Sequence, residues 1–252
     1  MNQEKTAAFI VIGNEILSGR TNDENINFLT HNLTEIGINV KEVVIIEDDE
    51  KQIIYHVNRL KTEYNYVFTS GGIGPTHDDI TAASIAKALN KKLILDEEAH
   101  KILQKHYNSD ELNDARLKMA ILPEGSILLD NPVSSAPGFK IENIFVFAGV
   151  PIIMQAMLKA SMEFLETGPK KLSKTVNIAL PESVIAKKIS EISNKYDDLD
   201  IGSYPFIANG KLGTAIVFRS IDAEIINLAH TEYLDYLTNE FGDLAKLNLK
   251  II

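Results

Sequence analysis

The chain has 252 residues, 45% of them hydrophobic and 24% charged, with no cysteine and a formal charge of −10 from 25 basic and 35 acidic residues. These values describe an ordinary soluble globular chain, long enough for one large domain or two smaller ones. They exclude disulfides and thiolate metal sites, and they argue against nucleic acid as a partner, because affinity for that polyanion comes mainly from basic side chains. The charge is uneven: the 83 residues from Lys170 onward hold 10 basic and 11 acidic groups, and the preceding part holds 15 and 24.

The N-terminal residues Met1 to Thr6 are polar, and the apolar run Ala7 to Ile12 is too short for a signal-peptide core or a membrane span. The expected location is the cytoplasm, with no membrane partner. Thr6 to Gly13 reads as a buried parallel strand ending in glycine. A loop, Asn14 to Arg20, leads to a helix over Asp23 to Gly37, with Ile26, Leu29, Leu33 and Ile36 on one face. A second strand, Val40 to Ile46, ends in the polar turn Glu47-Asp48-Asp49, and a second helix covers Lys51 to Tyr64. The strand Tyr66 to Thr69 then breaks at Gly71-Gly72-Ile73-Gly74-Pro75, and a third helix runs from Ala82 to Leu89.

Strand and helix alternate without interruption, which predicts a doubly wound α/β domain. Ligands of such sheets sit beyond the carboxyl ends of the strands. If the three strands are parallel and adjacent, Gly13-Asn14-Glu15, Glu47-Asp48-Asp49 and Ser70 to Asp79 converge there.

Further on, Leu93 to Asp96 and Ile127 to Leu129 read as short strands, and Glu97 to Tyr107 and Leu112 to Ile121 as two helices of an excursion. The stretch Asp130 to Gly138 is a loop of turn formers. Phe139 to Glu142 and Asn143 to Phe147 form a hairpin, and Gly149-Val150-Pro151 opens a helix to Glu166. Pro151 near a helix start needs no ligand to explain it, although Gly149 also permits close backbone contact. After a linker, Thr167 to Lys171, the order becomes strand (Lys174 to Leu180), helix (Glu182 to Tyr196), strands (Leu199 to Phe206, Thr214 to Ser220) and helix (Ala223 to Phe241). The expected domains are 1–168 and a small α+β domain over 172–252. Gly210 to Gly213 fits the GxxG pattern of KH domains, but it lies between strands and reads as a hairpin turn. His31, His56 and His230 read as isolated surface or packing residues, and His100 and His106 are badly spaced for one metal.

The chemistry concentrates in Asn65 to Thr81. Glycines admit a ligand to the main chain, and a helix start offers free N–H groups to a phosphate. Walker A is excluded because Pro75 and Thr76 follow Gly74 where a lysine is needed, and the dinucleotide fingerprint because His77 replaces its third glycine. Asp79 and Thr81 could simply cap the helix. Two adjacent aspartates exceed one cap, however, and carboxylates beside a phosphate call for a cation. The stretch therefore predicts a phosphate cradle with a Mg²⁺-type site.

Several segments together resemble the molybdopterin-binding (MoaB/Mog-like) superfamily: Gly13 to Arg20, Asn25, Asp48-Asp49, Gly71 to Thr81 and Ala136-Pro137-Gly138. They are most similar to the N-terminal part of the competence/damage-inducible protein A family and to the corresponding domain of eukaryotic FAD synthases. The likeness spans Thr6 to Glu166, and Gly202-Ser203-Tyr204-Pro205 resembles the segment that follows in those relatives. The resemblance implies a three-layer α/β fold and metal-dependent hydrolysis of ADP-ribose- or FAD-type dinucleotide diphosphates. It also implies a divalent metal such as Mg²⁺ and admits a monovalent cation.

By the same resemblance, Asp79, Asp78 and Glu15 are the catalytic candidates, with Glu15 or His77 as the base. Asp79 and Asp48 are the metal candidates. The phosphate and substrate candidates are Gly13, Asn14, Ser18, Asn25, Ser70, Gly71, Gly72, Gly74, Thr76, Thr81, Pro137, Gly138 and Gly149. Two departures stand out. Ile153 occupies the place of a glutamate in the run after Gly149, and Ser134 replaces a loop glycine. Three functions follow as expectations: a nucleotide pyrophosphatase, a protein that binds or adenylylates molybdopterin, or a non-catalytic nucleotide- or pterin-binding module. The expected partner is a small phosphorylated nucleotide or pterin, and a homodimer is the expectation from the frequency of two-fold assemblies.

Overall fold

A computed structural model of the chain describes residues 4–107, 112–208, 210–242 and 250–251. The chain divides into two compact units, 1–168 and 169–252. None of the described helices is long and apolar enough to cross a membrane.

In the first unit the elements are β1 (Lys5–Ile12), α1 (Asn14–Leu17), α2 (Asn25–Glu35), β2 (Ile38–Ile46), α3 (Glu50–Glu63), β3 (Tyr66–Ser70) and α4 (Thr81–Ala88). An excursion follows: β4 (Leu93–Leu95), α5 (Glu97–His106), α6 (Asp114–Leu117), a 3₁₀ turn (Lys118–Ala120) and β5 (Ile121–Pro123). The unit closes with β6 (Ile127–Leu129), β7 (Gly138–Ile141), β8 (Ile144–Phe147), α7 (Pro151–Ala160) and a second 3₁₀ turn (Ser161–Phe164).

Six of these strands form one sheet in the order β2-β1-β3-β8-β7-β6. The first four are parallel neighbours, and β7 runs antiparallel to β8 and β6. Alternation along the strands feeds two cores. Ala8, Ile10 and Ile12 pack with Ile53, Val57 and Ile85 on the α3 and α4 face. Ala7, Phe9 and Val11 pack with Leu29, Leu33, Met154 and Leu158 on the α2 and α7 face. A strand apolar on both sides is the signature of a sheet covered twice, so the fold is the three-layer, mostly parallel α/β architecture expected.

The excursion departs from expectation. The single helix predicted over Leu112 to Ile121 is a one-turn helix, a 3₁₀ turn and a strand. β5 pairs antiparallel with β4, Leu93 opposite Pro123 and Leu95 opposite Ile121. An apolar strand left outside the main sheet needs a partner for its main-chain groups, and the Ile-Leu-Pro run supplies it. The helix predicted to reach Glu166 ends at Ala160, where the Ser161 hydroxyl donates to the Leu158 carbonyl (2.8 Å) in competition with helical bonding.

The second unit has β9 (Leu172–Ile178), α8 (Glu182–Lys195), β10 (Asp200–Ala208), β11 (Lys211–Ser220), α9 (Ala223–Phe241) and β12 (Lys250–Ile251). Its sheet runs β10-β11-β9-β12, all antiparallel, with β12 absent from the sequence-based expectation. Its core joins Val176, Ile178, Ile216 and Phe218 to Ile185 of α8 and to Ala229 and Tyr233 of α9. The Gly202 to Pro205 motif lies in β10. A Cβ on Gly202 would sit 2.5 Å from the Tyr204 ring, so the glycine lets that ring lie flat on the sheet. The GxxG segment is at the β10–β11 hairpin, and His230 is a buried packing residue against Phe218.

Candidate active site

Parallel pairing of β2, β1 and β3 sets their carboxyl ends side by side. The Gly13 amide donates to Ile46 O (3.1 Å), and the Asn14 amide donates to the Asp48 carboxylate (3.0 Å). The Glu15 carboxylate folds back over Gly13, where a Cβ would stand 2.7 Å from Oε1. Gly71 follows β3 at φ +102, and a Cβ there would come within 2.1 Å of Ile12 O, so only glycine fits.

The glycine loop is held from two sides. The Gly71 amide donates to Phe147 O (3.1 Å) and so does not face a ligand, which corrects the expectation that Gly71 offers its N–H to phosphate. The Thr81 hydroxyl donates to Gly71 O (2.9 Å) and the Thr81 amide to Gly72 O (3.0 Å). The amides of Gly72, Ile73 and Gly74 have no acceptor among the described residues. No side chain caps α4, so capping is not what Asp79 and Thr81 do.

Asp79 instead closes the loop on itself. Its Oδ2 accepts from the Thr76 amide (2.7 Å) and hydroxyl (2.6 Å), and it lies over Gly74, where a Cβ would be 2.8 Å away. The Thr76 hydroxyl also lies within bonding distance of Asp78 Oδ1. One hydroxyl proton cannot serve both carboxylates at once. The Thr76 hydroxyl bond, with lesser help from His77 and Lys118, holds Asp78 below the usual carboxylate range. Asp48 is pushed the other way. Burial raises it most, the Asn14 amide opposes, and the charges of Glu15, Asp78 and Asp79 raise it further.

No group of three or more His, Asp or Glu residues converges as a metal site among the described residues. The fit of a cation rests on charge. Asp48 feels the charges of Glu15, Asp78 and Asp79, and Lys118, whose ammonium donates to Thr76 O (2.6 Å), acts on Asp78 with the opposite sign. Asp48 and Asp79, the expected metal candidates, both lie in that field. His77 is 99% exposed, with Nδ1 4.0 Å from Asp78 Oδ1, and Glu15 is folded over Gly13.

Beside the loop opens a pocket of about 220 Å³. Gly72, Gly74, Asp79 and Lys118 form its polar rim, and Ile73, Met119, Ile121, Leu122, Pro137 and Phe139 its apolar wall. Lys118 and Met119 come from the misread excursion helix, and nothing in their spacing pointed to the glycine loop.

The remaining candidates separate. Asn25 donates to Gly149 O (2.9 Å), and Gly149 packs against Gly71, with a Cβ 3.3 Å from its Cα. Asn25 Oδ1 and Ser70 Oγ are buried without a hydrogen-bond partner among the described residues, an open acceptor and an open hydroxyl on the α2 and α7 face. Ser18 is exposed and donates to Glu15 O (3.3 Å). Gly138 is buried inside β7, where Val146 O and Met157 leave no room for a Cβ, so packing explains it. Ser134 serves a network the sequence did not reveal. Asn131, buried, accepts from the Val133 and Ser134 amides and donates to Ser134 Oγ and Ala136 O, which shapes the loop before Pro137. Ile153 packs against the α2 and α7 core.

Comparison with known proteins places both units. Residues 8–167 match the family described as probable molybdopterin binding domain, and residues 170–242 match the FAD synthase middle domain. A protein of Archaeoglobus fulgidus is 34% identical over 92% of this chain and 97% of its own length. A probable FAD synthase of Caenorhabditis elegans is 28% identical over 94% of this chain and 51% of its own. The crystal structure of the protein CinA with unknown function from Thermoplasma acidophilum aligns with a TM-score of 0.60 at 36% identity, covering 64% of this chain and 98% of that one. The strand ends, the glycine loop and its acids lie within residues 8–167, and by that match the chain belongs to the probable molybdopterin binding domain family.

Proposed function

We propose that the strand-end site binds a phosphorylated nucleotide or pterin and hydrolyses the pyrophosphate of an ADP-ribose- or FAD-type dinucleotide. The observation that carries this reading is the junction at Gly72 to Asp79, where three unbonded amides, a crowd of carboxylates and an apolar pocket meet. The amides of Gly72, Ile73 and Gly74 receive phosphate oxygens and stabilise charge that builds on them. The apolar wall takes a flat ring. Glu15, whose carboxylate folds back over Gly13 among these acids, is the candidate base for the attacking water. A divalent cation held by Asp79 with Asp48 would supply Lewis-acid polarisation of the phosphoryl oxygens. Water adds at one phosphorus, the bridging P–O bond breaks, and two monophosphates leave.

A second reading rests on Ile153. Its aliphatic side chain packs on the core where relatives are expected to carry a glutamate, which favours a site that binds pterin or nucleotide without turning it over. The test is turnover of purified protein against ADP-ribose, FAD, NAD and dinucleoside polyphosphates with added divalent metals, beside Asp79→Asn. The expected result is cleavage to mononucleotides, reduced about 100-fold or more in the variant. Full activity in Asp79→Asn would reject its role. No cleavage with any metal, together with ligand-induced thermal stabilisation, would establish the binding reading instead.

A further inference from the structure

The excursion contains a strand that the rest of the first unit leaves open. All three residues of β4 are exposed apolar side chains: Leu93 at 43%, Ile94 at 40% and Leu95 at 50%. Among the described residues its one sheet partner is β5. The Glu124 amide donates to Lys92 O and the Asp96 amide to Ala120 O, so even-numbered residues turn their main-chain groups toward β5. By alternation, Leu93 and Leu95 turn theirs outward, an unpaired edge.

The residues around this edge are ordered in a particular way. The run is Lys91-Lys92-Leu93-Ile94-Leu95-Asp96-Glu97-Glu98. Two positive charges precede a symmetric apolar triplet, and three negative charges follow it. Lys91, Lys92, Glu97 and Glu98 are exposed and make no ion pair among the described residues. Such a run is its own complement when laid antiparallel. About a two-fold axis at Ile94, each Leu93 meets Leu95 of the second copy. Lys92 then meets Asp96, where the extended run ends, and beyond the ladder Lys91 lies toward Glu97 at the start of α5. The outward groups of the leucines fall in hydrogen-bonded pairs, and Ile94 faces its own copy in the close, non-bonded position. A parallel arrangement would set like charges together instead.

We propose that β4 is a homodimerisation edge, pairing antiparallel with β4 of a second copy to join the two β4–β5 ribbons into a four-stranded sheet. Charge order selects the second copy as the occupant, and the contact is isologous, as a two-fold dimer requires. Leu93 and Ile121 also line the pocket beside the glycine loop, so the joined ribbons stiffen one of its walls. This inference does not depend on the ligand or on catalysis. The ladder is short against the ~800 Å² per partner of a standard interface, so the dimer is expected to dissociate at roughly micromolar concentration.

Sedimentation equilibrium of the whole chain over a concentration series tests it. Wild type is expected to show a monomer–dimer equilibrium. Ile94→Lys puts two ammonium groups face to face on the axis and is expected to abolish the dimer, with an unchanged far-UV circular dichroism spectrum. Lys91→Glu and Glu97→Lys are each expected to weaken it several-fold. An equimolar mixture of those two variants is expected to restore it, because each chain then supplies the charge the other lacks. A wild type that stays monomeric up to about 1 mM would overturn the proposal and leave the flanking charges as guards against edge pairing. A dimer indifferent to Ile94→Lys would overturn it as well.

Discussion

Glu232 in the second unit and Asp48 in the first are both partly buried carboxylates, and their surroundings drive them in opposite directions. Glu232 lies between two ammonium groups, Lys188 at 2.8 Å and Lys195 at 2.6 Å, and these bonds pull it down to about 2. Asp48 has one amide donor and three negative neighbours, and burial leads in pushing it up. The first arrangement satisfies its charges within the protein and adds to stability. The second leaves a field that the fold itself does not neutralise. A deficit of this kind is stable only if folding elsewhere offsets it, and it marks where a cation or a proton has a place.

The contrast can be broken most severely at its support. Gly71→Ala would drive a Cβ into Ile12 O at a φ that suits glycine alone, at a cost of about 3 kcal/mol. Urea titration followed by circular dichroism is expected to show that loss for the first unit, with the second unit's transition unmoved.

Glu232→Gln comes next. The paired group is about a quarter exposed, so solvent screens it, and the expected loss at neutral pH is about 1 kcal/mol. Because the folded pKa is depressed, this contribution is present above the ordinary carboxylate value and lost as pH falls toward about 2. The difference between wild type and variant in thermal melts should therefore vanish across that acid window.

Asp48→Asn is the smallest change and has the opposite sign. A raised carboxyl destabilises the fold at neutral pH, and the cost is relieved as pH falls through its folded pKa. The variant keeps an oxygen for the Asn14 amide and sheds the charge, so its melting temperature should exceed wild type by about 2 °C at pH 7. The gain should disappear in acid. Added Mg²⁺ should stabilise wild type more than the variant, and equal stabilisation of both would remove Asp48 from the candidate cation site.

Much of this arrangement was legible in the chain. Continuous apolar runs, such as Ala7 to Ile12, dictate a doubly covered parallel sheet, and parallel order forces the three polar strand ends together. What stayed hidden depends on side chains that meet only in three dimensions. Lys118 reaches Thr76 across 42 positions of sequence. Asn131 looks like any turn residue until its four bonds are seen. The strand at Ile121 carries no period of its own, because three residues are too few to alternate, and it exists since β4 needed a partner. The free amides were half legible: the glycines announced a close approach, but only the Phe147 carbonyl shows that Gly71 is already engaged.

Gly37 and Gly168 meet backbone to backbone. The Gly168 amide donates to Ile36 O (3.1 Å), and a Cβ on either glycine would strike the other's carbonyl, at 2.3 Å and 2.1 Å. The last residue of the first unit is thereby sewn to the turn after α2, immediately before Pro169. A seam of this kind makes the unit a cassette. A crossover between genes that falls just after it carries the strand-end site with it, because Ile12, Lys118 and Phe147, which shape the glycine loop, all precede the cut. Modularity in this chain thus rests on two missing methyl groups, and a side chain at either place would unpick the border from within.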